Sequence, residues 1–265
     1  MSTYVIADVH GCYDEFQALL AKAGVNLGKD ELIIAGDIVD RGPKSLEMLR
    51  FLESHPETVT FIRGNHDEGF AVYCRQVIET FEKRNPDGLT FEEYCEEGFY
   101  PYVDDYYCTI AQLTEIPGVN LEDFKKWPEL IERMPYYVTR NVGGKRYIIV
   151  HAGFITEGDY RKFCAVGVGS GYIRTDKKKF YTWARLEGVR YGGYENVTVV
   201  FGHTPTIIRN YFYNQGRAFV TEEGKRRFIN IDCGGVYRDT YPEGNFCLLR
   251  LDDEKFFYLY DDLNI

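Results

Sequence analysis

Four of the five histidines, His10, His66, His151 and His203, each follow an apolar run and stand beside glycine, aspartate or asparagine. Asp8, Asp37 and Asn65 sit at the same kind of position, where an apolar run gives way to polar chemistry. One histidine so placed is ordinarily structural. Four of them, together with hard carboxylate and carboxamide oxygens, form a ligand set suited to Mn, Fe or Zn. The set is large enough for two ions, and the absence of cysteine from it argues against a structural zinc site. His55 stands in an ordinary helix-end context.

The densest stretch is Leu32-Ile33-Ile34-Ala35-Gly36-Asp37-Ile38-Val39-Asp40-Arg41-Gly42-Pro43. Its apolar run has the composition of a short buried strand and ends in two carboxylates and an arginine before Gly-Pro breaks the chain. Carboxylates buried unpaired are costly, so Asp37 and Asp40 call for a cation, and a bound metal is a stronger one than Arg41. Taken alone, the stretch reads equally well as an exposed turn with an Asp–Arg pair.

The elements that must carry these residues repeat one pattern. Residues 3–7 read as a strand ending in Asp8-Val9-His10-Gly11, followed by a helix from Tyr13 to Ala23 with Phe16, Leu19, Leu20 and Ala23 at helical spacing. Residues 32–36 and the helix Ser45 to Ser54 repeat the unit. Val59 to Ile62 begins it a third time, closed by Arg63-Gly64-Asn65-His66-Asp67. Three β-α units predict a parallel sheet whose strands end on one edge, where α/β proteins place their sites.

Residues 69–135 differ in character. They carry 14 Asp and Glu against 6 Lys and Arg, so most of the chain's net charge of −10 lies there. Helical pieces alternate with turns at Asn85-Pro86-Asp87-Gly88 and Pro117-Gly118, which predicts a mainly helical insertion. Its acidic run, Glu92-Glu93 through Glu96-Glu97, reads as a solvated face. The second half returns to strands at 136–140, 146–150, 197–201, 228–231, 245–251 and 256–260, predicting a second, antiparallel or mixed sheet. Residues 153–194 read as a long connection whose flexible part is Gly167-Val168-Gly169-Ser170-Gly171.

Composition narrows the function. The charge of −10 and pI near 5.1 argue against a nucleic-acid polymer or an anionic membrane as partner. A small phosphorylated substrate held by a metal is compatible with that charge. Seven scattered cysteines, an odd number without a C-x-x-C pair, fit reduced thiols. Residues 1–10 show no basic-then-apolar leader, and no apolar stretch approaches the roughly 18 residues needed to span a bilayer. The expected location is cytoplasmic, with no membrane association; oligomeric state is not legible.

Asp8-Val9-His10-Gly11, Gly36-Asp37-Ile38-Val39-Asp40-Arg41-Gly42, Gly64-Asn65-His66-Asp67, His151-Ala152-Gly153 and Gly202-His203-Thr204-Pro205 occur in the order and approximate spacing of the metallophosphoesterase superfamily. They resemble most its phosphoprotein phosphatase family, including bacteriophage-type protein phosphatases and bacterial symmetrical diadenosine tetraphosphatases. The resemblance implies an α/β (α+β mixed) calcineurin-like fold, a two-sheet β-sandwich flanked by helices, as a single domain over residues 1–265 with the insertion at 69–135. It implies one metal on Asp8, His10 and Asp37 and a second on Asp37, Asn65, His151 and His203, most often Mn, with Fe or Zn as alternatives. Two such ions lower the pKa of water towards about 7, giving a hydroxide that attacks phosphorus directly. By the same resemblance His66 is the general acid, with Asp40 orienting its imidazole. Arg41 clamps phosphate oxygens, with Asn65 beside the bound group. Arg185, in Tyr181-Thr182-Trp183-Ala184-Arg185, resembles the second clamp of the phage-type enzymes. Arg63 is expected in a structural ion pair.

Two departures bear on substrate. Ala7 stands where glycine is usual, which removes no ligand. Asp67 follows Asn65-His66, as in the diadenosine tetraphosphatases, where many protein phosphatases carry glutamate; Tyr4 to Leu20 and Gly36 to Leu49 also look like that group. Against it, no arginine-rich segment of the usual kind is recognisable between Glu68 and Pro135. Asp40 is also present where symmetrical hydrolases can depart from it. The reading is a phosphomonoesterase acting on phosphoserine or phosphothreonine in proteins, with a phosphorylated protein or small phosphorylated molecule as partner. The alternatives are a dinucleoside polyphosphate hydrolase and, in another class, an inactive phosphate-binding scaffold.

Overall fold

A computed structural model describes residues 1–85, 88–96 and 108–261. The first half lays down three strands and their helices in alternation: β1 (Thr3–Ile6), α1 (Tyr13–Ala23), β2 (Glu31–Ala35), α2 (Ser45–Ser54), β3 (Val59–Ile62) and α3 (Asn65–Arg84). Three further helices follow: α4 (Phe91–Glu96), α5 (Thr109–Thr114) and α6 (Leu121–Arg133). The second half holds β4 (Tyr137–Val142), β5 (Lys145–Val150), α7 (Glu157–Val166), α8 (Lys177–Trp183), α9 (Leu186–Arg190) and β6 (Thr198–Phe201). It closes with β7 (Phe219–Glu223), β8 (Arg226–Asn230), β9 (Cys247–Arg250) and β10 (Lys255–Tyr258).

These strands make two five-stranded sheets, ordered β10-β9-β1-β2-β3 and β4-β5-β6-β8-β7. Alternation along each strand explains how they stack. In β1 and β2, Val5, Ile33 and Ala35 join Tyr147, Ile149, Val200 and Ile229 of the other sheet in a core between the two sheets. Tyr4, Ile6, Leu32 and Ile34 point the opposite way, into a cluster with Phe16, Leu49, Phe70, Phe124 and Trp127 of the helices. On the far side Ile148, Val150 and Val199 pack with Phe163 and Phe180. Strands buried on both faces require continuous apolar runs, which is what the sequence shows.

β1, β2 and β3 are mutually parallel, as are β5, β6 and β8. Both parallel sets belong to one sandwich, and the polar residues that follow six of its strands converge at one edge.

Three expectations change. The runs at 245–251 and 256–260 do not join the second sheet: β9 lies antiparallel beside β1, with Val5 opposite Leu249, and β10 pairs with β9. β7, with its exposed alternate residues, was not anticipated. Residues 153–194 hold the helices α7, α8 and α9 where a long connection was expected; α7 is capped by Thr156 at its start and by left-handed Gly167 at its end. The segment 69–135 is helical, and no strand occurs there among the described residues. Glu92 and Glu93 are exposed at the start of α4, while Pro86, Asp87 and Glu97 lie outside the described residues.

Candidate metal centre

The loop after β1 brings Asp8 and His10, and the loop after β2 brings Asp37, Asp40 and Arg41. Asn65 and His66 open α3, while His151 and His203 follow β5 and β6. The first two loops are laced together by backbone bonds, His10 N to Asp37 O at 2.9 Å and Gly42 N to His10 O at 2.8 Å. Six site residues hold left-handed backbone: Asp8 (φ 54°), His10 (47°), Asp37 (53°), Asp40 (69°), Arg41 (71°) and His203 (67°). Each such conformation costs on the order of 1 kcal/mol outside glycine, and clustering of this kind marks functional sites. Two glycines make room for the carboxylates. A Cβ at Gly64 would stand 2.1 Å from Asp37 Oδ1, and one at Gly202 would stand 1.9 Å from Asp8 Oδ2.

Two donor sets converge, His10–Asp37–His66 and Asp37–His151–His203, with Asp37 common to both and every member buried. Asp37 Oδ2 lies 3.6 Å from His10 Nε2 and 3.4 Å from His151 Nε2, while its Oδ1 accepts the His66 amide at 2.9 Å. Asn65 Oδ1 reaches His151 Nε2 at 2.9 Å. Asp8 is held by the His203 amide, at 3.1 and 2.9 Å to its two oxygens. The first set thus shows His66 close to His10 and Asp37, a place the sequence reading gave to Asp8.

The residues fit divalent cations on proton accounting. His10 Nδ1 lies 2.8 Å from the Val39 carbonyl and His151 Nδ1 lies 3.0 Å from that of Ala35. A carbonyl only accepts, so each Nδ1 carries the proton and each Nε2 presents a lone pair to Asp37 Oδ2. Burial holds these rings neutral, well below the ordinary histidine pKa for His10 and below it for His151. His203 is also driven well below its usual value, by burial and then by His151, and its Nε2 is buried without a partner among the described residues. Arg41 already meets the His10 lone pair and His203 Nδ1 lies 3.2 Å from His151 Nε2, yet the oxygens of Asp37 and Asn65 crowd the same dry site, an arrangement that divalent charge would favour. The carboxylates agree. Burial, then the charges of Asp232 and Asp37, push Asp8 well above the usual range.

Around this core stand the groups that would handle substrate. His66 Nδ1 is 2.7 Å from Asp40 Oδ2. Asp40 is gripped in turn by Thr109 of the helical insertion: Thr109 N donates to Oδ1 at 3.0 Å, Thr109 Oγ1 to Oδ1 at 2.7 Å, and the Asp40 amide donates to Thr109 Oγ1 at 2.8 Å. Arg41 spans the two rings, with Nη1 on His10 Nε2 and Nη2 2.7 Å from His66 Nε2, and lies 5.3 Å from the Tyr237 ring centre. Arg185 donates to Thr204 Oγ1 at 3.3 Å, beside His203. Arg63 forms no carboxylate pair among its observed contacts; it donates to the carbonyls of Glu132 and Met134 and to the Tyr136 hydroxyl. It joins β3 to the end of α6.

Three residues escaped the sequence reading. Asp232 is buried after β8, and burial lifts its carboxyl to about 7 against the pull of the Gly234 amide and of Arg41. It closes an apolar run before Cys-Gly-Gly, the same signal that marked Asp8 and Asp37. Asp67 was noted only as a family variation. Its carboxylate accepts the amides of Asp37, Ile38 and Gly64 at 3.0, 3.0 and 2.8 Å, tying the second loop to the third. Thr109 carries no recognisable signal.

Residues 1–223 match the calcineurin-like phosphoesterase family, and the chain belongs to it. It has the mixed α/β two-sheet architecture of that family. Among curated relatives it is similar to the symmetrical bis(5'-nucleosyl)-tetraphosphatase of Psychromonas ingrahamii, 55% identical over 67 residues, covering 25% of this chain and 24% of that protein. The corresponding protein of Neisseria meningitidis is 54% identical over 95 residues, 33% and 34% of the two chains. The matches therefore span a quarter to a third of those relatives. A solved protein serine/threonine phosphatase from Saccharomyces cerevisiae superposes with TM-score 0.54 at 16% identity, covering 100% of this chain and 82% of that one, and shows the shared fold. No helix among the described residues is long and apolar enough to cross a membrane.

Proposed function

We propose that this chain hydrolyses dinucleoside polyphosphates, with phosphoprotein dephosphorylation as the reading it displaces. The chemistry is common to both: transfer of a phosphoryl group to water at a two-metal centre. The observation that carries the choice of substrate is the 54% identity over 95 residues to a symmetrical bis(5'-nucleosyl)-tetraphosphatase. The ordered motifs that favoured a protein phosphatase are shared by both groups and so do not separate them.

Asp8, His10, Asp37, Asn65, His151 and His203 would hold two divalent ions, Mn being the first candidate, with Asp37 serving both. When bound, the ions supply Lewis acidity, neutralising phosphate charge and making water acidic enough to attack at neutral pH. As an imidazolium paired with Asp40 through Nδ1, and with Arg41 moved from Nε2 onto the phosphate, His66 gives its Nε2 proton to the leaving oxygen and returns to the neutral ring. Arg41 and Arg185 bind non-bridging oxygens as planar bidentate donors. No phosphorylated side chain is required. The silent-scaffold alternative has no observation in its favour. Seven free cysteines suit a reducing cytoplasm.

The test is turnover of diadenosine tetraphosphate and of a phosphoserine peptide side by side with Mn supplied. The proposal expects kcat/KM for the dinucleotide to exceed that for the peptide by tenfold or more. The reverse preference would return the protein-phosphatase reading.

A further inference from the structure

The helical layer after His151 encloses a second compartment against the metal centre. It is a cavity of 520 Å³ walled by Tyr172, Trp183, Tyr191 and Tyr211 and by the guanidinium-bearing Arg185 and Arg190. Two of its walls touch residues of the metal centre. The Trp183 ring stands edge-on to Tyr172, with centroids 5.5 Å apart, and edge-on to His203 at 5.9 Å. Arg185 bonds Thr204, the residue after His203, and its guanidinium lies 5.2 Å from the centre of the Tyr211 ring. The compartment therefore begins where the metal ligands end.

Its aromatic rings are not all explained by core packing. Tyr191 lies against Phe163 and closes the inner wall. Tyr172 and Tyr211, however, are 46% and 39% exposed. Each has a cation against its ring, Lys179 over Tyr172 at 5.4 Å and Arg185 over Tyr211, which holds the ring in place without burying it. Partly exposed aromatic rings, in a cavity within the roughly 300–1,000 Å³ of small-molecule sites, suit a planar heterocycle. The cavity thus sets a guanidinium and aromatic rings beside residues of the metal centre, the groups a nucleoside phosphate would need, with the Glu187 carboxylate, which accepts from the Arg185 amide, also in its lining.

We infer that this cavity is a nucleoside subsite, in which Tyr172 and Tyr211 stack on a base whose phosphate chain runs past Arg185 to the metal centre. The inference deepens the proposed dinucleoside polyphosphate activity and rests on it for its biological sense, though its test is separate. It also gives the 167–171 stretch a place, since Val168, Gly169 and Ser170 border the cavity.

The experiment measures inhibition of aryl phosphate hydrolysis by adenosine 5'-monophosphate and by inorganic phosphate, in the Mn-loaded native protein and in Tyr172→Ala, Tyr211→Ala and Tyr211→Phe. Stacking on one aromatic is worth about 1–3 kcal/mol, or about fivefold to 150-fold. The native protein should prefer the nucleotide to phosphate by tenfold or more. Each alanine should cut that preference at least fivefold, and Tyr211→Phe should keep it. Both tyrosines are exposed, and far-UV circular dichroism checks that each variant folds. Equal inhibition by the two ligands, or a preference that survives both alanines, overturns the inference. A nucleotide preference without dinucleotide cleavage supports the subsite while refuting the proposed activity. Dinucleotide cleavage without the preference refutes the subsite alone.

Discussion

The proton that His66 is proposed to deliver depends on a residue outside the motifs. Asp40 holds His66, and Thr109 holds Asp40 through a hydroxyl that accepts from its amide and donates to its carboxylate, all buried. Thr109→Val keeps the shape and removes both bonds, at about 1–3 kcal/mol of stability for the buried groups left unpaired. General acid catalysis is worth about 10²–10⁴ in rate, so kcat for an alkyl phosphate should fall at least tenfold in this variant. An aryl phosphate, whose leaving group needs the proton less, should fall less, and Thr109→Ser should restore both; a plot of kcat against leaving-group pKa checks this. At the metals, Asp37→Asn should weaken both sites in a calorimetric Mn titration, whereas His66→Asn should keep the stoichiometry and slow turnover. Loss of metal in the latter would make His66 a ligand, consistent with its place in the first donor set. The candidate donors stand out in the sequence because each closes an apolar run beside glycine or a second polar group. Asp232 carries that signature and was passed over; Thr109, 69 residues from Asp40, carries none.

Helices decide how firmly that grip is mounted. α6 is fixed to α2 by Arg50, which donates to both oxygens of Asp123 at 2.6 and 2.9 Å, and by Trp127 Nε1 to Glu53 at 2.7 Å. Burial works against the Asp123 charge, but Arg50 and the Asn120 amide outweigh it and hold the carboxyl below its usual range. A carboxyl depressed on folding stabilises the native state above its unfolded pKa of about 3.9, and that contribution is lost as pH falls through the folded value. Thermal midpoints measured from pH 6 down to pH 3 should therefore drop more steeply for the native protein than for Asp123→Asn, which starts lower. The helices of the first half were legible from apolar spacing over 10 residues or more. α8 and α9, with 7 and 5 residues, are too short to display a period, and glycines on either side made the region read as loop. The run that became β9 was visible as a strand, but local pattern does not specify a partner.

At the scale of the molecule the metal centre joins the two sheets. Asp8, His10, Asp37 and Asn65 come from one sheet's loops, and His151 and His203 from the other's. A ligand that binds only the folded state stabilises it by RT ln(1 + [L]/Kd), about 2.7 kcal/mol at 100 Kd. Mn at that excess should raise the thermal midpoint by several degrees, a chelator should reverse the rise, and Asp37→Asn should abolish it; differential scanning calorimetry reads all three. The strand order carries a further consequence, for synthesis. β1 is made long before its antiparallel neighbour β9, with β2 through β8 in between, and Leu249 completes the inner face that Val5 and Ile33 begin. Until then a nascent chain exposes an unpaired apolar edge of the kind that aggregates. The motifs through His203 are all translated before the sandwich that positions them can close, so a message cut short after His203 would carry every proposed ligand without the sheet that brings them together.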